Sequence, residues 1–532
     1  WDHMKPLSKF KNMEVTAVAW NGMAWSTGKS STKTVLFGTH DGKIYETELK
    51  PGNDAKSKRS DIPAKLVAEL PVRERVTGLS MEAFPERKKQ HLVLIATGTR
   101  LYQVIGAAEL ESRSSGDKGA VFEMMLKDGL TSPNYQEIPG MPGPGALSVY
   151  HRKVQTNGQS HVLATDFAWL TSMGVFFGGL TFATQESGDS VVKNASLLPY
   201  PLSSSQQSAS GANGADTNGD NSSVEQPVSL AITEFHILLQ YSNCIRAMSM
   251  LNSKLVFESH VSSGQPGAEL FQGLTVDETK RTCWLFSPLN IYELVVTDED
   301  RDVWDIYLSR RQFDSALKHC YNDSQRDIVL RAQAEHLFAD GQFEKSAECF
   351  ARTSISFEEA ALRFVDMKNN RVLKSYLQTK LTTLRKQDRI QNTLLVMWLI
   401  EIYLCMLGSV DAKIASAGAT DTNSSSSPSP SPNSVVQFEL EKEMLLKELY
   451  ALVAEYKASV DPATTYQLAE SHGRRDFWLH YAFLREDYER VVGYWMEKEN
   501  YIQAIKVLGH YGTPEMFYKY SPALMSAEPS EL

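Results

Sequence analysis

Residues 281–304 read RTCWLFSPLNIYELVVTDEDRDVW, and the rule that places their apolar side chains changes partway along. From Arg281 to Val296 two runs rich in β-branched and aromatic residues, TCWLF and IYELVV, flank the turn-forming stretch Ser-Pro-Leu-Asn. Such a pattern, with a period near two, builds paired strands. From TDEDRDVW (297–304) onward the apolar residues recur with a period near 3.6, as amphipathic helices require, and they do so to the end of the chain. The sequence therefore predicts an all-β part, residues 1–296, followed by an all-α part, residues 297–532.

Working back from that boundary, the same strand–turn–strand unit recurs. It reads TVLFGTHDGKIYETEL at 34–49, HLVLIATGTRLYQVIG at 91–106, MGVFFGGLTFAT at 173–184 and FHILLQYSNCIRAMSM at 235–250. With the 281–296 copy this makes five. A further strand precedes several copies, as in VTAVAW (15–20), RVTGLSM (75–81) and LFQGLTVD (270–277). Repetition of three or four strands at a time is the pattern of propeller blades, each of which buries its faces only by stacking on neighbours. A β-sandwich does not repeat one hairpin five times. Asp41-Gly42 predicts a tight type I′ turn in the first copy. The β part therefore reads as a β-propeller of five visible blades, and as an open, partial one by what the family resemblance given below implies.

Forward from the boundary, a short motif recurs at helix starts: FDSAL (313–317), FEKSA (343–347), FEEAA (357–361), YERVV (488–492) and YIQAI (501–505). An aromatic at i and a small or apolar residue at i+3 share one helical face. The pattern predicts an α-solenoid of helix pairs, with Phe313, Phe343, Phe357 and Tyr501 filling the grooves between them. Asp340-Gly341 and His472-Gly473 mark helix stops. Residues 203–226 and 409–434 contain almost nothing apolar and are expected to be disordered insertions, the second carrying an SSSSPSPSP run.

The chain has 532 residues, with 54 Lys plus Arg against 64 Asp plus Glu and a net charge of −10. The deficit is spread over both halves, which argues against a nucleic-acid binder. The five cysteines, Cys244, Cys283, Cys320, Cys349 and Cys405, form no C-x-x-C pair. They point to a reducing, cytoplasmic compartment, and the sequons at Asn194, Asn221 and Asn322 read as silent. Leu394–Leu407 is apolar for 14 residues but is interrupted by Glu401, short of the ~20 that span a bilayer, so it predicts a buried core helix. The opening WDHMKPLSKF carries no signal-peptide pattern and reads as the start of a cut piece.

No catalytic, cofactor-binding or metal-binding residue is assigned. Gly38–Lys43 is one residue too short for a phosphate-binding loop, and Ile44 stands where Ser or Thr would hold magnesium. PGMPGPGA (139–146) lacks a lysine and precedes a strand. His151 and His161 are the closest approach to a histidine pair, but they fall on different predicted strands and read as ordinary histidines. Asp298, Glu299, Asp300 and Asp302 lack the spacing and glycine of a calcium loop. Phe364, Trp398 and Tyr403 lie in apolar stripes that belong to a core. What is left is an interaction protein.

Several long segments then resemble one family. They are VTAVAWN (15–21) with VLFGTHDGKIYETEL (35–49), ATDFAWLTSMGVFFGGL (164–180), LAITEFHILLQYSN (230–243), RDVWDIYLSRRQFDSALKHC (301–320), SFEEAALRF (356–364), LLVMWLIEIYLCMLG (394–408), DYERVVGYW (487–495) and MFYKYSPALM (516–525). They are similar to the deep-orange type of class C vacuolar protein-sorting subunit, at the core of the HOPS and CORVET tethering complexes. The resemblance implies a β-propeller followed by a clathrin-like α-solenoid. It implies action on the cytosolic face of late endosome and vacuole or lysosome membranes, through the other class C tether subunits and indirectly through Rab GTPases and SNAREs. It also implies seven blades and a C-terminal RING zinc module. Five blades are visible and no Cys/His array follows residue 510, so the chain is expected to be a fragment to which zinc binding and ubiquitin ligase activity are not carried.

Overall fold

The computed structural model describes residues 13–20, 34–48, 64–84, 87, 90–108, 120–156, 159–182, 190–201, 225–260, 270–277, 281–367, 369–385, 388–418 and 432–527. These fall into two units, one up to Asp302 and one from Val303.

The first unit is a propeller of five antiparallel blades, each with its strands in chain order. Blade 1 holds β1 (Val15–Trp20), β2 (Thr34–Thr39), β3 (Lys43–Glu48) and β4 (Lys65–Glu69). Blade 2 holds β5 (Gly78–Ala83), β6 (Gln90–Ala96) and β7 (Arg100–Ala107), then a helix, α1 (Glu123–Thr131), and β8 (Asn134–Glu137). Blade 3 consists of β9 (Leu147–Thr156), β10 (Gln159–Leu170), β11 (Val175–Leu180) and β12 (Val192–Leu198). Blade 4 consists of β13 (Ser229–Ile232), β14 (His236–Gln240), β15 (Cys244–Ser249) and β16 (Leu255–His260). Blade 5 has three strands, β17 (Gly273–Asp277), β18 (Thr282–Phe286) and β19 (Ile291–Leu294).

Alternation explains why the blades stack. In β6, Val93 and Ile95 join a core with blade 1, while Leu92, Leu94 and Ala96 join a core with Phe167 and Trp169 of blade 3. Neighbouring residues of a strand point to opposite faces, so a strand buried on both sides reads as the unbroken apolar run seen at 92–96. The same arrangement joins blade 3 to blade 4 and blade 4 to blade 5. Contacts between inner strands run in chain order, β1 with β5, β5 with β9, β9 with β13 and β13 with β17. No comparable contact joins β17 to β1 among the described residues.

Three local expectations are corrected. The first hairpin turns through His40, Asp41 and Gly42, and only Gly42 has a positive φ, +79°. It is a three-residue loop ending on a left-handed glycine, and the two-residue type I′ turn is ruled out because that turn needs two such residues. In blade 3 the segment 173–184 supplies one strand, β11; its hairpin partner is β10, joined through the turn in which Thr171 N–H donates to Gly174 C=O. Helix α1 interrupts the all-β reading. It packs on β4 and β7, and the buried carboxylate of Glu46 holds its start by accepting Val121 N–H at 2.8 Å and Phe122 N–H at 2.9 Å.

The second unit is an α-solenoid. Its helices are α2 (Val303–Ser309), α3 (Phe313–Lys318), α4 (Asp323–Ala339), α5 (Phe343–Ala351), α6 (Phe357–Asp366), α7 (Asn370–Thr383), α8 (Arg389–Gly418), α9 (Pro432–Glu455), α10 (Pro462–Ser471), α11 (Arg475–Arg485), α12 (Tyr488–Glu497), α13 (Tyr501–Tyr511) and α14 (Pro514–Ala527). Five of the turns between them are built alike. A left-handed residue, Arg311, Gly341, Gly473, Glu486 or Glu499, follows the helix end. The next residue donates its N–H five residues back, as Gln342 does to Leu337 and Asp487 to Ala482. That bond defines the Schellman motif. A β-carbon raises the cost of this conformation by about 1–2 kcal/mol, partly offset by the greater chain entropy glycine loses on folding. Glu486→Gly and Glu499→Gly are therefore each expected to stabilise the solenoid by roughly 0.5–1 kcal/mol. A thermal melt in which both variants unfold below the parent chain would refute this.

The recurrent motif divides its labour differently from expectation. Its fully buried member is the residue at i+3: Ala316, Ser346, Ala360, Val491 and Ala504 are all 0% exposed. The aromatics Phe313, Phe343, Phe357 and Tyr501 are half-buried. Each aromatic opens its helix, where only part of the ring reaches the groove. Phe343 leans on Phe338 of the preceding helix and Phe313 on His336.

Of the loop expected to be disordered at 203–226, residues 203–224 lie outside the described residues. The second such call, 409–434, is corrected in part. Helix α8 continues to Gly418 because Val410 is buried, Ile414 packs on the core, and Asp411 pairs with Lys442 at 2.9 Å and Arg474 at 2.5 Å. Helix α9 begins at Pro432, and residues 419–431 lie outside the described residues. Length and composition alone would let Arg389–Ser416 cross a membrane. Instead Val396, Leu399, Ile400, Tyr403, Leu404 and Leu407 lie within the solenoid core.

Candidate functional site

Several of the residues singled out in the sequence act as structural ties. Gly38 packs where an added Cβ would stand 2.4 Å from Val76, so this glycine serves blade stacking. Gly145, at φ +72°, accepts a hydrogen bond on its carbonyl from Thr77 Oγ1 at 2.8 Å and so ties 139–146 to blade 2. In the β9–β10 hairpin His151 is registered opposite Ala164 and His161 opposite Val154. The His151 ring instead meets Glu82 at 3.0 Å, both buried, linking blade 3 to blade 2. Among the described residues no group of three or more His, Cys, Asp and Glu side chains is placed so as to hold a metal ion.

Within the acidic run after blade 5, Glu299 is tied back onto blade 4. Glu299 Oε1 accepts from Thr233 Oγ1 at 2.5 Å and from Phe235 N–H at 2.7 Å, and lies 3.1 Å from His236 Nδ1. It thereby closes a cavity of about 220 Å³ lined by β9, β13, β17 and the start of β18, with Tyr150, Arg281 and Cys283 in its wall. Burial acts to raise the Glu299 carboxyl, but hydrogen bonds from His236, Thr233 and Phe235 together hold it below the ordinary glutamate value of 4.5. A carboxyl lowered in the folded state contributes stability that is present above its unfolded value and lost as pH falls through its folded value. Glu299→Gln should therefore flatten the acid limb of the propeller's stability below the ordinary value and cost about 1.5–3 kcal/mol at neutral pH. An acid titration with the same slope in parent and variant would contradict it.

The larger concavity lies in the solenoid. A groove of about 690 Å³ runs between the end of α10 and helices α11, α12 and α14. Trp478, Tyr494 and Tyr520 are half-buried in its wall, and Arg475, Glu497 and Lys498 stand exposed around it. Nearby charges are matched: Arg490 meets Asp487 at 3.0 Å and Lys519 meets Glu489 at 2.5 Å. An aromatic surface with both signs of charge around it can hold a polypeptide segment. Its residues come from four helices within 469–520, and it is the packing of these helices, not a motif within any one of them, that brings the residues together.

Comparison with known proteins gives a consistent picture along the chain. A family model described as the Pep3/Vps18/deep orange beta-propeller domain matches residues 1–296. Models of the first and second halves of the VPS18 alpha-solenoid domain match 301–487 and 488–532. A vacuolar sorting protein 18 of Arabidopsis thaliana is 29% identical, covering 100% of this chain and 49% of its own length. A vacuolar protein sorting-associated protein 18 homolog of Danio rerio is 26% identical, with 99% and 49% covered. The vacuolar membrane protein pep3 of Schizosaccharomyces pombe is 28% identical, with 57% and 32% covered. The chain thus spans about half the length, or less, of these curated relatives.

Proposed function

The chain belongs to the Pep3/Vps18/deep orange family, and we propose that its propeller and solenoid units are parts of a subunit in an endolysosomal membrane-tethering complex of the HOPS and CORVET kind. The observation that carries this reading is the unbroken succession of family matches across both units, shared with relatives named for vacuolar sorting. The subunit acts by binding rather than by catalysis. It works on the cytosolic face of late endosome and vacuole or lysosome membranes, where the complex docks vesicles and supports SNARE-mediated fusion. Its direct partners are the other class C sorting subunits, and Rab GTPases and SNAREs are reached through them.

Solenoid repeats offer long polar faces in which neighbouring repeats are held rigidly but distant ones are independent. Such faces suit assembly with several partners at once. The test is affinity purification of the tagged chain from cells followed by identification of what comes with it. Class C sorting subunits should co-purify in stoichiometric amount. Recovery of nucleoporins or coatomer in their place would assign the chain to a different scaffold.

A further inference from the structure

From the entry to blade 3 through blade 5, the two faces of the propeller differ in charge. Each blade runs antiparallel in chain order, so the turn between its second and third strands lies on the same face as the connection to the next blade's first strand. Among the described residues, the stretches on that face are 138–146, 171–174, 199–201, 225–228, 241–243, 270–272 and 287–290. They hold one charged side chain, Glu225, in a chain of which 22% is charged, and Glu225 lies 4.0 Å from the buried Arg246. On the opposite face the turns of blades 4 and 5 carry Glu234, Lys254 and Arg281. In blades 1 and 2, the equivalent turn and connection on the first face carry Asp41, Arg73, Glu74 and Arg75. The loss of charge is thus confined to one face of three blades.

Apolar side chains stand out from this uncharged face. Met141 and Leu289 are 79% and 84% exposed, and Met173, Val228 and Leu270 are each more than half exposed. Hydrogen bonds join the stretches into one surface. Gly143 N–H donates to Gly98 C=O at 2.9 Å, Tyr200 Oη to Thr171 C=O, Gln226 Nε2 to Ser172 C=O at 3.3 Å, and Phe271 N–H to Ser242 C=O at 2.9 Å. Packing fixes the loop that carries Met141, because a Cβ added at Gly143 would stand 2.4 Å from Ser172 N. Residues 202–224 and 261–269 belong to the same connections and lie outside the described residues; their composition is polar.

We propose that this face of blades 3 to 5 docks an uncharged, apolar surface of another protein. Resting on the membership of a sorting complex proposed above, that protein is one of the other class C subunits. Depletion of charge together with exposed methionine is the composition of an interface core, and apolar patches left in water mark sites of interaction. Charge decides the kind of partner: an ionic surface would lose its hydration here and find no opposite charge in return. A bilayer suits the face less well, since surface-bound segments set Lys and Arg beside their apolar residues and no cation stands here. A second copy would bring a chain of net charge −10 against another of −10, which opposes association.

The test repeats the affinity purification with the tagged chain and three variants: Met141→Asp with Leu289→Asp, Met141→Leu with Leu289→Met, and Lys254→Glu on the opposite face. The double aspartate variant should recover at least one class C subunit about tenfold less than the parent does. The other two variants should match the parent, and all four proteins should melt together because the substituted positions are exposed. Recovery of every subunit by the double aspartate variant in parental amount overturns the docking face and leaves the proposed function standing. Absence of class C subunits from the parent overturns both. A lowered melt in the double aspartate variant, or an equal loss of subunits in either of the other variants, also overturns the proposal. So does binding of the parent, but not of the double aspartate variant, to phosphatidylcholine vesicles, and so does a parental dimer that those two substitutions dissociate.

Discussion

Phe364→Ala should loosen the solenoid between about Asp323 and Thr383 while leaving the propeller intact. Phe364 is 0% exposed and its ring meets those of Phe338, Phe350 and Tyr376 at 6.3, 6.1 and 5.5 Å. It therefore joins α4, α5, α6 and α7. Truncating a fully enclosed phenylalanine loses its transfer energy and leaves a cavity, together about 3–5 kcal/mol. Helix α6 gives the cavity little chance to collapse, because Ala360 and Ala361 beside it are already buried and small. The effect should remain local, since each solenoid repeat contacts only its neighbours. Hydrogen exchange measured by region would show faster amides in α4 to α7 and unchanged amides in the blades. Phe343→Ala provides the contrast. Its ring is half-buried with Phe338 as its described aromatic neighbour, so the loss should be nearer 1–2 kcal/mol. Equal losses at the two positions would mean that the motif aromatic, and not the helix interior behind it, carries the packing.

That contrast also shows what the sequence made visible. The motif FEKSA told where a helix begins and which two residues share its face, because both follow from a 3.6-residue period. It did not tell how deep each residue lies, because depth depends on the helix packed opposite. Blade hairpins were legible where an apolar run meets a turn, as at Gly42 or at Ser287–Asn290. The hairpin of blade 3 was displaced because MGVFFGGLTFAT holds glycines that suggest a turn inside the segment, whereas the turn lies before it, at Thr171–Gly174. Helix α8 ran past residue 409 because Val410, Asp411 and Ile414 find partners on α9 and at Arg474, and composition weighs only the residues themselves. The buried polar ties were hidden for the same reason. Glu82 and His151 are 69 positions apart, and nothing local in either segment points to the other.

Arg246 and Glu258 are the exception, since a hairpin register places them opposite one another, and they carry the second large effect. Arg246 is 3% exposed. Its guanidinium sits 4.3 Å from the centre of the Tyr241 ring, donates to Glu258 at 2.8 Å and reaches the Pro201 carbonyl at 3.3 Å. Burial pushes the Tyr241 phenol up to about 12, so the ring beneath the cation stays neutral. Glu258→Ala would leave the buried guanidinium with the Pro201 carbonyl, the Tyr241 ring and, at 4.0 Å, the Glu225 carboxylate, a loss of about 3–5 kcal/mol. The pair itself need not stabilise blade 4 by that amount, because two desolvated charges return much of their attraction as desolvation cost. Arg246→Met combined with Glu258→Leu should therefore be markedly less damaging than Glu258→Ala alone, even though it changes more atoms. Exchange rates of the β14 to β16 amides in the three proteins decide the matter. If the double variant is at least as unstable as the single one, the pair contributes more than its desolvation costs.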